Sequence, residues 1–405
     1  MKNFNKIFTA LLCVATIIGC NDRVVPEVEV NIPLDPNKKY IHFDANANTR
    51  GELIDGGLLA HDFYALGYKY LGSWTGNSDM ITPNVFSSTP QLVTYANGVH
   101  SYTNVQPWTG NTYSFFAYYP AKNANIKLFD TGTIKTGEPY ITYTLASRSS
   151  TLDLIDVMTA SNKNTNVSSS STVALNFEHR LAAIDVVARN YYEYDHDGIS
   201  TTPKVPVTIE IVGLQIGFNN LINQTAKIYL DSSKESVYTP YTGTLGANYR
   251  IVGSTSLDPI PMKVIEPNTI DDRDMRFITS WAGDENTKAS SIIIIPQDEP
   301  LTIAASEMEY KKKYDSDDDG VPDAYIKNEN VDENGVGEKG YGTNSYYKNL
   351  EITFNKQIKE KRRYYIELTF TSSAVSINIV AADEWDEDIN DNGKDNDDDI
   401  IYDFE

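Results

Sequence analysis

The chain has 405 residues, which is enough for about two or three domains with cores of their own. Its 34 lysines and arginines are outnumbered by 56 aspartates and glutamates, and the net charge of −22 argues against nucleic acid and anionic membrane surfaces as partners. The two cysteines, Cys13 and Cys20, both lie near the start. A disulfide within the folded part and a cysteine-based zinc site are therefore excluded as well.

Residues 1–19 have the pattern of an export signal. Lys2 and Lys6 precede an apolar run at 7–18, which is too short to span a bilayer. The run leads into Ile-Ile-Gly-Cys, which resembles the lipobox where bacterial lipoproteins are cut and acylated on the new terminal cysteine. The resemblance implies lipidation of Cys20, and several acyl chains hold a protein firmly on a membrane.

The tether that follows is polar and ends in an alternating segment. Ile41, Phe43 and Ala45 occupy every second position, which is the pattern of a strand with one buried face. The polar stretch after this strand contains Arg50-Gly51 and has the composition of an exposed, protease-accessible loop.

The strongest strand pattern lies between Val173 and Ala188. One apolar set, which includes His179, alternates as far as Ala183, and the phase then flips so that Ile184 begins a second set. A slip of one residue requires a bulge or a tight break between two strands. The pattern predicts two successive core strands, with His179 buried and hydrogen-bonded to the backbone or, as the alternative, in a catalytic or metal-binding role.

Short apolar runs separated by Gly, Pro, Asn and Ser clusters fill both sides of that segment, and no helical stripe of convincing length occurs. The pattern is interrupted from Glu193 to Pro206, and a second series of strands follows. The sequence therefore predicts an all-β protein with two sandwich domains. The predicted parts are a lipoprotein signal peptide at 1–19, a tether and N-terminal strand at 20–50, and sandwiches at 51–205 and 206–405, the second with an acidic tail.

Several motifs, in a shared order, resemble those of the fimbrillin family. They are Trp108 with YSFFAYYP at 113–120, DVMTA at 156–160, FEHRLAAI at 177–184, IIIPQ at 293–297, and the closing strands with Trp385. The resemblance implies a lipoprotein-derived pilin of the type V kind, built from two tandem transthyretin-like β-sandwiches and located at the surface of the outer membrane.

The resemblance also implies a mode of assembly. In such pilins an Arg-specific protease at the cell surface removes an N-terminal strand, and the next subunit donates a strand into the vacated groove. For this chain the implied cut lies at Arg50-Gly51, and the implied removable strand carries Ile41, Phe43 and Ala45. Pairing of this kind is β-augmentation, and its head-to-tail geometry builds a filament.

A candidate donor strand lies at the far end of the chain, where Ile400, Tyr402 and Phe404 occupy alternate positions. The alternatives are the last strand of the chain's own sandwich or a disordered tail. The implied function is that of a structural fimbrial subunit, which polymerises with other subunits and contributes to adhesion to an unidentified target. Its contact with the membrane would be through the lipid anchor alone.

Two further functional hypotheses stay open: a monomeric surface lipoprotein that binds glycans through exposed aromatic side chains, and an unprocessed tip or anchor subunit of a fimbria. The sequence contains no HExxH, GxSxG or phosphate-cradling glycine motif. We therefore expect that the protein is not an enzyme.

An acidic segment at 315–323 has the D-x-D-x-D-G-x-x-D spacing of a calcium-binding loop, in which the glycine permits a sharp turn and carboxylates form an oxygen cage. It differs from an EF-hand because Ile326 stands at the twelfth position, where an EF-hand has glutamate. The sequence predicts a Ca²⁺ site here, with a solvated loop as the alternative. The candidate ligands are Asp315, Asp317, Asp319 and Asp323.

Overall fold

The computed structural model of the chain is built from β-strands. It describes residues 35–47, 59–74, 84–87, 89–129, 138–145, 156–166, 172–195, 204–253, 260–268, 276–279, 291–317, 319–327, 344–353, 357–372 and 374–381. Within these ranges no residue is helical, which confirms the predicted all-β class. In the same ranges there is accordingly no helix of the length and hydropathy that crossing a membrane requires.

Twenty-one strands follow one another along the described residues, and the longest contains 25 residues. They are β1 (His42–Ala47), β2 (Phe63–Tyr70), β3 (Gln91–Ala96), β4 (Val99–Ser101), β5 (Thr112–Tyr119), β6 (Ile126–Leu128), β7 (Tyr140–Thr144), β8 (Met158–Thr165), β9 (Thr172–His179), β10 (Ala182–Tyr191), β11 (Glu193–Tyr194), β12 (Val205–Tyr229), β13 (Val237–Val252), β14 (Lys263–Ile265), β15 (Arg276–Phe277), β16 (Ile292–Ile294), β17 (Thr302–Tyr314), β18 (Ala324–Tyr325), β19 (Tyr346–Thr353), β20 (Arg362–Thr371) and β21 (Val375–Ala381).

The first sheet has the strand order β1-β9-β8-β5-β2-β3-β4. β1 is parallel to β9, whereas the other neighbours are antiparallel. Successive side chains of a strand point to opposite faces of the sheet, and in this sheet both faces are buried. Phe63 of β2 points into one hydrophobic core, which also contains β1, and Leu66 points into a second core on the opposite face.

Two further sheets complete the fold. One has the order β15-β10-β20-β21, with β16 also paired to β10, and the other has the order β18-β17-β12-β7-β6, with β11, β13 and β14 on β12 and β19 on β17. β10 runs parallel to β20 along its whole length, from Ala182 opposite Arg362 to Tyr191 opposite Thr371. A third core, which includes Ile184 of β10, is shared by strands of these two sheets.

The predicted break in the central segment is confirmed. β9 ends at His179 and β10 begins at Ala182, and the apolar side chains before and after the break enter different cores. His179 is buried, as expected, but its Nδ1 lies 2.7 Å from Oδ2 of Asp156, so its partner there is a side-chain carboxylate and not the backbone group that was predicted. The chain therefore passes from the first sheet to the second at Arg180 and Leu181.

The strand ladders cross the position at which the sequence suggested a domain boundary. β7 precedes residue 205 and pairs with β12, and β10 precedes it and pairs with β20. All described residues after Asp35 belong to one compact unit. The division into sandwiches at 51–205 and 206–405 stays a prediction, and these ladders run across it.

Candidate strand-exchange groove

β1 and the residue directly before it place three apolar side chains in the core of the first sheet. Ile41 and Ala45 are completely buried and Phe43 is 6% exposed, whereas His42 and Asp44 between them are exposed. The alternation arises from the period of two along a strand. β1 therefore has one face that belongs to the core and one that belongs to the surface.

Phe43 occupies a pocket made of aromatic rings. Its ring centroid lies 6.1 Å from that of Phe63, 6.1 Å from Phe86, 5.7 Å from Tyr102 and 5.6 Å from Phe115. The contacts with Phe63 and Phe115 are edge-to-face, which is a favourable arrangement for ring quadrupoles. The Phe43 side chain is thus a central component of this core.

The segment formed by β1 and the three residues before it is hydrogen-bonded on both of its edges. One edge forms the parallel ladder with β9, in which Phe43 lies opposite Val173. The other edge is hydrogen-bonded to the segment that directly follows β4 and to Leu59, which precedes β2. These bonds are Ile41 N to Gln106 O at 2.9 Å, Trp108 N to Lys39 O at 2.9 Å, Leu59 N to Ala45 O at 2.9 Å and Tyr102 Oη to Ile41 O at 3.0 Å.

The Tyr102 hydroxyl donates to the carbonyl of Ile41, directly before β1, and burial raises the pKa of Tyr102 to about 12. The segment that carries Tyr102, Gln106 and Trp108 forms the second wall of a slot, and β9 forms the first. Sequence reasoning missed this wall, because most of its bonds come from backbone atoms. Trp108 was noticed only as part of a motif.

The remaining predicted processing and assembly residues lie outside the described ranges. They are the lipidation site Cys20, the cleavage site Arg50-Gly51 and the candidate donor residues Ile400, Tyr402 and Phe404.

The acidic loop lies between β17 and β18. One carboxylate oxygen from each of Asp315, Asp317 and Asp319 can be chosen so that all three lie within 4.8 Å of one another. The negative charge of Asp319 raises the pKa of Asp317. Gly320 adopts a φ of 87°, which a side chain would strain, and its N–H donates to Asp315 Oδ2 at 2.6 Å.

The fourth predicted ligand, Asp323, is engaged elsewhere in the loop. It accepts hydrogen bonds from the backbone N and the Oγ of Ser316 at 3.0 and 3.1 Å, and these bonds lower its pKa. The structure thus brings three of the four predicted ligands together. Calcium binding stays a prediction.

Titration of the purified chain with Ca²⁺ should detect one site in the weak range typical of extracellular modules, at a dissociation constant of about 0.1–1 mM. A cation would offset the repulsion among the three grouped carboxylates. Replacing Asp317 and Asp319 together by asparagine should abolish the heat signal, whereas Asp44→Asn, on the exposed face of β1, should preserve it. A wild-type chain that gives no signal at millimolar Ca²⁺ would leave the segment a solvated loop.

A family model matches most of the chain. The model is described as fimbrillin-like and aligns with residues 73–383. This chain belongs to the fimbrillin-like family. The match confirms the resemblance seen in the sequence motifs and assigns the chain to a family of fimbrial proteins. The matched range begins after β1 and β2, so the position of β1 in this fimbrillin-like chain is known from its structure alone.

Solved structures were also found that resemble this chain in fold. A fimbrial protein from Bacteroides vulgatus aligns with a TM-score of 0.53 and 15% identity over 85% of this chain and 99% of that chain. A candidate cell adhesion protein from Bacteroides ovatus aligns with a TM-score of 0.43 and 12% identity over 87% of this chain and 99% of that chain. The first shows a shared fold, and the second is too distant to add to it. No curated protein sequence matches the fimbrillin-like chain.

Proposed function

We propose that this fimbrillin-like chain is a structural subunit of a cell-surface fimbria and that it accepts a strand from a neighbouring subunit in the slot that β1 fills. The observation that carries the proposal is the position of β1, which is buried on one face and bound on both edges, and which precedes Arg50 by only a few residues. A single cut after Arg50 would separate this strand covalently from all of its partners.

Loss of β1 would leave a groove with unpaired backbone and exposed aromatic rings. Transfer of apolar surface to water costs about 25 cal/mol per Å², and unpaired strand edges readily add another strand. A replacement strand with apolar residues at alternate positions would restore both the ladder and the core. The cut therefore converts a self-sufficient monomer into a subunit that needs a partner strand.

The rest of the proposal concerns the route to the filament. Lipidation at Cys20 would hold the precursor at the outer membrane, an Arg-specific protease at the surface would cut at Arg50-Gly51, and a neighbouring copy would donate Ile400, Tyr402 and Phe404. Alternating apolar positions in this tail match the inward positions of β1 in their spacing of two. Adhesion to a target would be a property of the assembled fimbria.

Arg50→Ala should leave the protein monomeric on the cell, whereas the wild type should form heat-resistant oligomers. The expected change is the loss of the oligomer ladder that the wild type keeps on a denaturing gel after heating, because β1 stays in its slot. Mass spectrometry of the N-terminus of sheared material measures the processing step directly. The wild type should begin at Gly51.

Two companion variants interpret that result. Arg50→Lys preserves the charge and should also remain uncut if the protease reads arginine. Tyr402→Asp with Phe404→Asp should be cut normally but should fail to donate a strand. If Arg50→Ala assembles as well as the wild type, strand exchange at this slot is wrong and an unprocessed tip or anchor role replaces it.

A further inference from the structure

The inward positions of the β1 slot differ in size. Ile41, Phe43 and Ala45 are all buried, so each of the three places is closed over by its neighbours. Protein cores are packed as densely as organic crystals, and a place that encloses a methyl group has no room for a ring. The slot therefore has a wide place at Phe43, followed two residues later by a narrow place at Ala45.

The facing strand β9 has the complementary order of sizes. Its inward residues increase in volume along the strand and are all buried; they are Val173, Leu175 and Phe177. In the parallel ladder the bulky Phe43 lies opposite Val173, and the small Ala45 lies opposite Leu175. A ring at the place of Ala45 would meet Leu175, which already fills that side of the core.

The narrow place is bounded on the other edge of β1 as well. Leu59 N donates to Ala45 O at 2.9 Å, and Leu59 O lies 2.7 Å from Nε2 of His100. Leu59 and His100 are buried. The ring centroid of Phe63 lies 5.3 Å from that of His100 and 5.2 Å from that of Phe177. A side chain larger than alanine could enter only by displacing buried and hydrogen-bonded neighbours.

The place of Ile41 differs because it lies at the end of the slot. The ladder with β9 begins one residue later, at His42, and the residues at 36–39 are exposed. A long side chain with a polar tip can keep that tip in water at such an end. This place therefore accommodates a tyrosine, whereas the place of Ala45 lies within the ladder and does not.

We propose that the place of Ala45 determines which strands the slot accepts and in which register. An accepted strand has an aromatic residue at the place of Phe43 and, two residues later, no side chain larger than that of alanine. This inference rests on the proposed function, because it concerns the strand that replaces β1. It identifies the partner strand by the order of its side-chain sizes.

The size rule also determines the register of the candidate donor tail. In step with β1, the tail would put Phe404 at the place of Ala45, or Ile400 if it ran in the opposite direction. Both side chains are too large for that place. Shifted by two residues, the tail puts Phe404 at the place of Phe43 and Tyr402 at the end of the slot, where its hydroxyl reaches water. We expect this shifted register, with Phe404 as the anchor of the donated strand.

The test begins with the full-length chain, which is cut by an Arg-specific protease and isolated as the species that begins at Gly51. Labelled peptides of residues 38–47 compete with the released strand, and the fraction bound gives their relative affinities. Ala45→Phe in the peptide should weaken binding about tenfold to a hundredfold, because the core is overpacked. His42→Trp is the matched control, since it adds bulk on the exposed face, and it should bind like the unchanged peptide.

The same pair tests the narrow place in the uncut chain, where no exchange is needed. Ala45→Phe should lower the midpoint of chemical denaturation, and His42→Trp should leave it unchanged. Equal midpoints would show that the place of Ala45 is not narrow and would overturn the inference.

A peptide of residues 396–405 distinguishes the two registers. In the shifted register, Phe404→Ala should weaken binding about a hundredfold or more, because it empties the wide place, and Tyr402→Ile should be nearly neutral. In the in-step register, Phe404→Ala should improve binding. That improvement, or unchanged binding of the Ala45→Phe peptide, would overturn the size rule and leave strand acceptance intact. If the unchanged peptide of residues 38–47 does not enter the cut chain, the proposed function fails and the inference fails with it.

Discussion

Replacement of Phe43 by alanine should lower the free energy of unfolding by about 3–5 kcal/mol, the range observed for large-to-small changes of buried aromatic residues. Phe43 is 6% exposed and its ring contacts four others, so its removal leaves a cavity that rigid aromatic neighbours fill poorly. Equilibrium unfolding in denaturant, followed by tryptophan fluorescence, measures the change.

His42→Ala is the control for this prediction, because His42 lies on the exposed face of the same strand. Substitution there should change the free energy of unfolding by no more than about 0.5 kcal/mol. Equal effects at the two positions would show that the β1 slot does not stabilise the precursor. The pair thus tests the physical basis of strand exchange without any need for the protease or the filament.

Replacement of Asp185 by alanine should also cost about 3–5 kcal/mol, the range for breaking a buried ion pair. Asp185 is completely buried in β10 and accepts hydrogen bonds from Thr279 Oγ1 at 2.7 Å, from Ser291 Oγ and from Arg363 Nε at 2.6 Å. Its removal leaves the Arg363 guanidinium, whose side chain is 14% exposed, without its carboxylate. Chemical denaturation of the full-length chain measures the loss.

A double variant separates the charge effect from simple loss of packing. Asp185→Leu together with Arg363→Met replaces the pair by apolar groups and should recover most of the stability, since no uncompensated charge remains. If the double variant is as unstable as Asp185→Ala, the hydrogen bonds to Thr279 and Ser291 carry the stability instead of the ion pair. Asp44→Ala, on the exposed face of β1, should have little effect.

Sequence periodicity predicted the faces of individual strands well. The phase flip predicted a break near Ala182, and the structure places the passage from β9 to β10 two residues earlier, at Arg180 and Leu181. The burial of His179 followed from its place in the alternation. The alternation at residues 41–45 likewise assigned the inward side of β1. These features are local, because a period of two can be recognised within a few neighbouring residues.

The pairing of strands could not be predicted in the same way. β10 and β20 form a parallel ladder although they are far apart along the chain, and no sequence feature of either segment indicates that the two strands pair. β12 runs over 25 residues, from Val205 to Tyr229, and pairs with strands from both earlier and later parts of the chain. Backbone hydrogen bonds form between almost any residues, so register and partner choice depend on the whole fold.

The groove shows the same limit. Ile41, Phe43 and Ala45 were identifiable from the pattern, whereas the wall at Gln106 and Trp108 was not, since backbone atoms make the bonds there. The rings around Phe43 come from four different stretches of the chain and converge only in three dimensions.

The separation of paired strands along the chain also determines when each part can fold. All strands of the first sheet lie between His42 and His179, so they are present once less than half of the polypeptide has crossed the membrane. One edge of β10 must wait for β20, because Ala182 pairs with Arg362, 180 positions later, whereas β15 and β16 reach the other edge earlier. Long-range pairing of this kind slows folding, and an unpaired apolar strand is prone to aggregate in the interval. Among the strand pairs that the structure describes, the β20-facing edge of β10 is therefore the one that stays open longest while the chain is secreted.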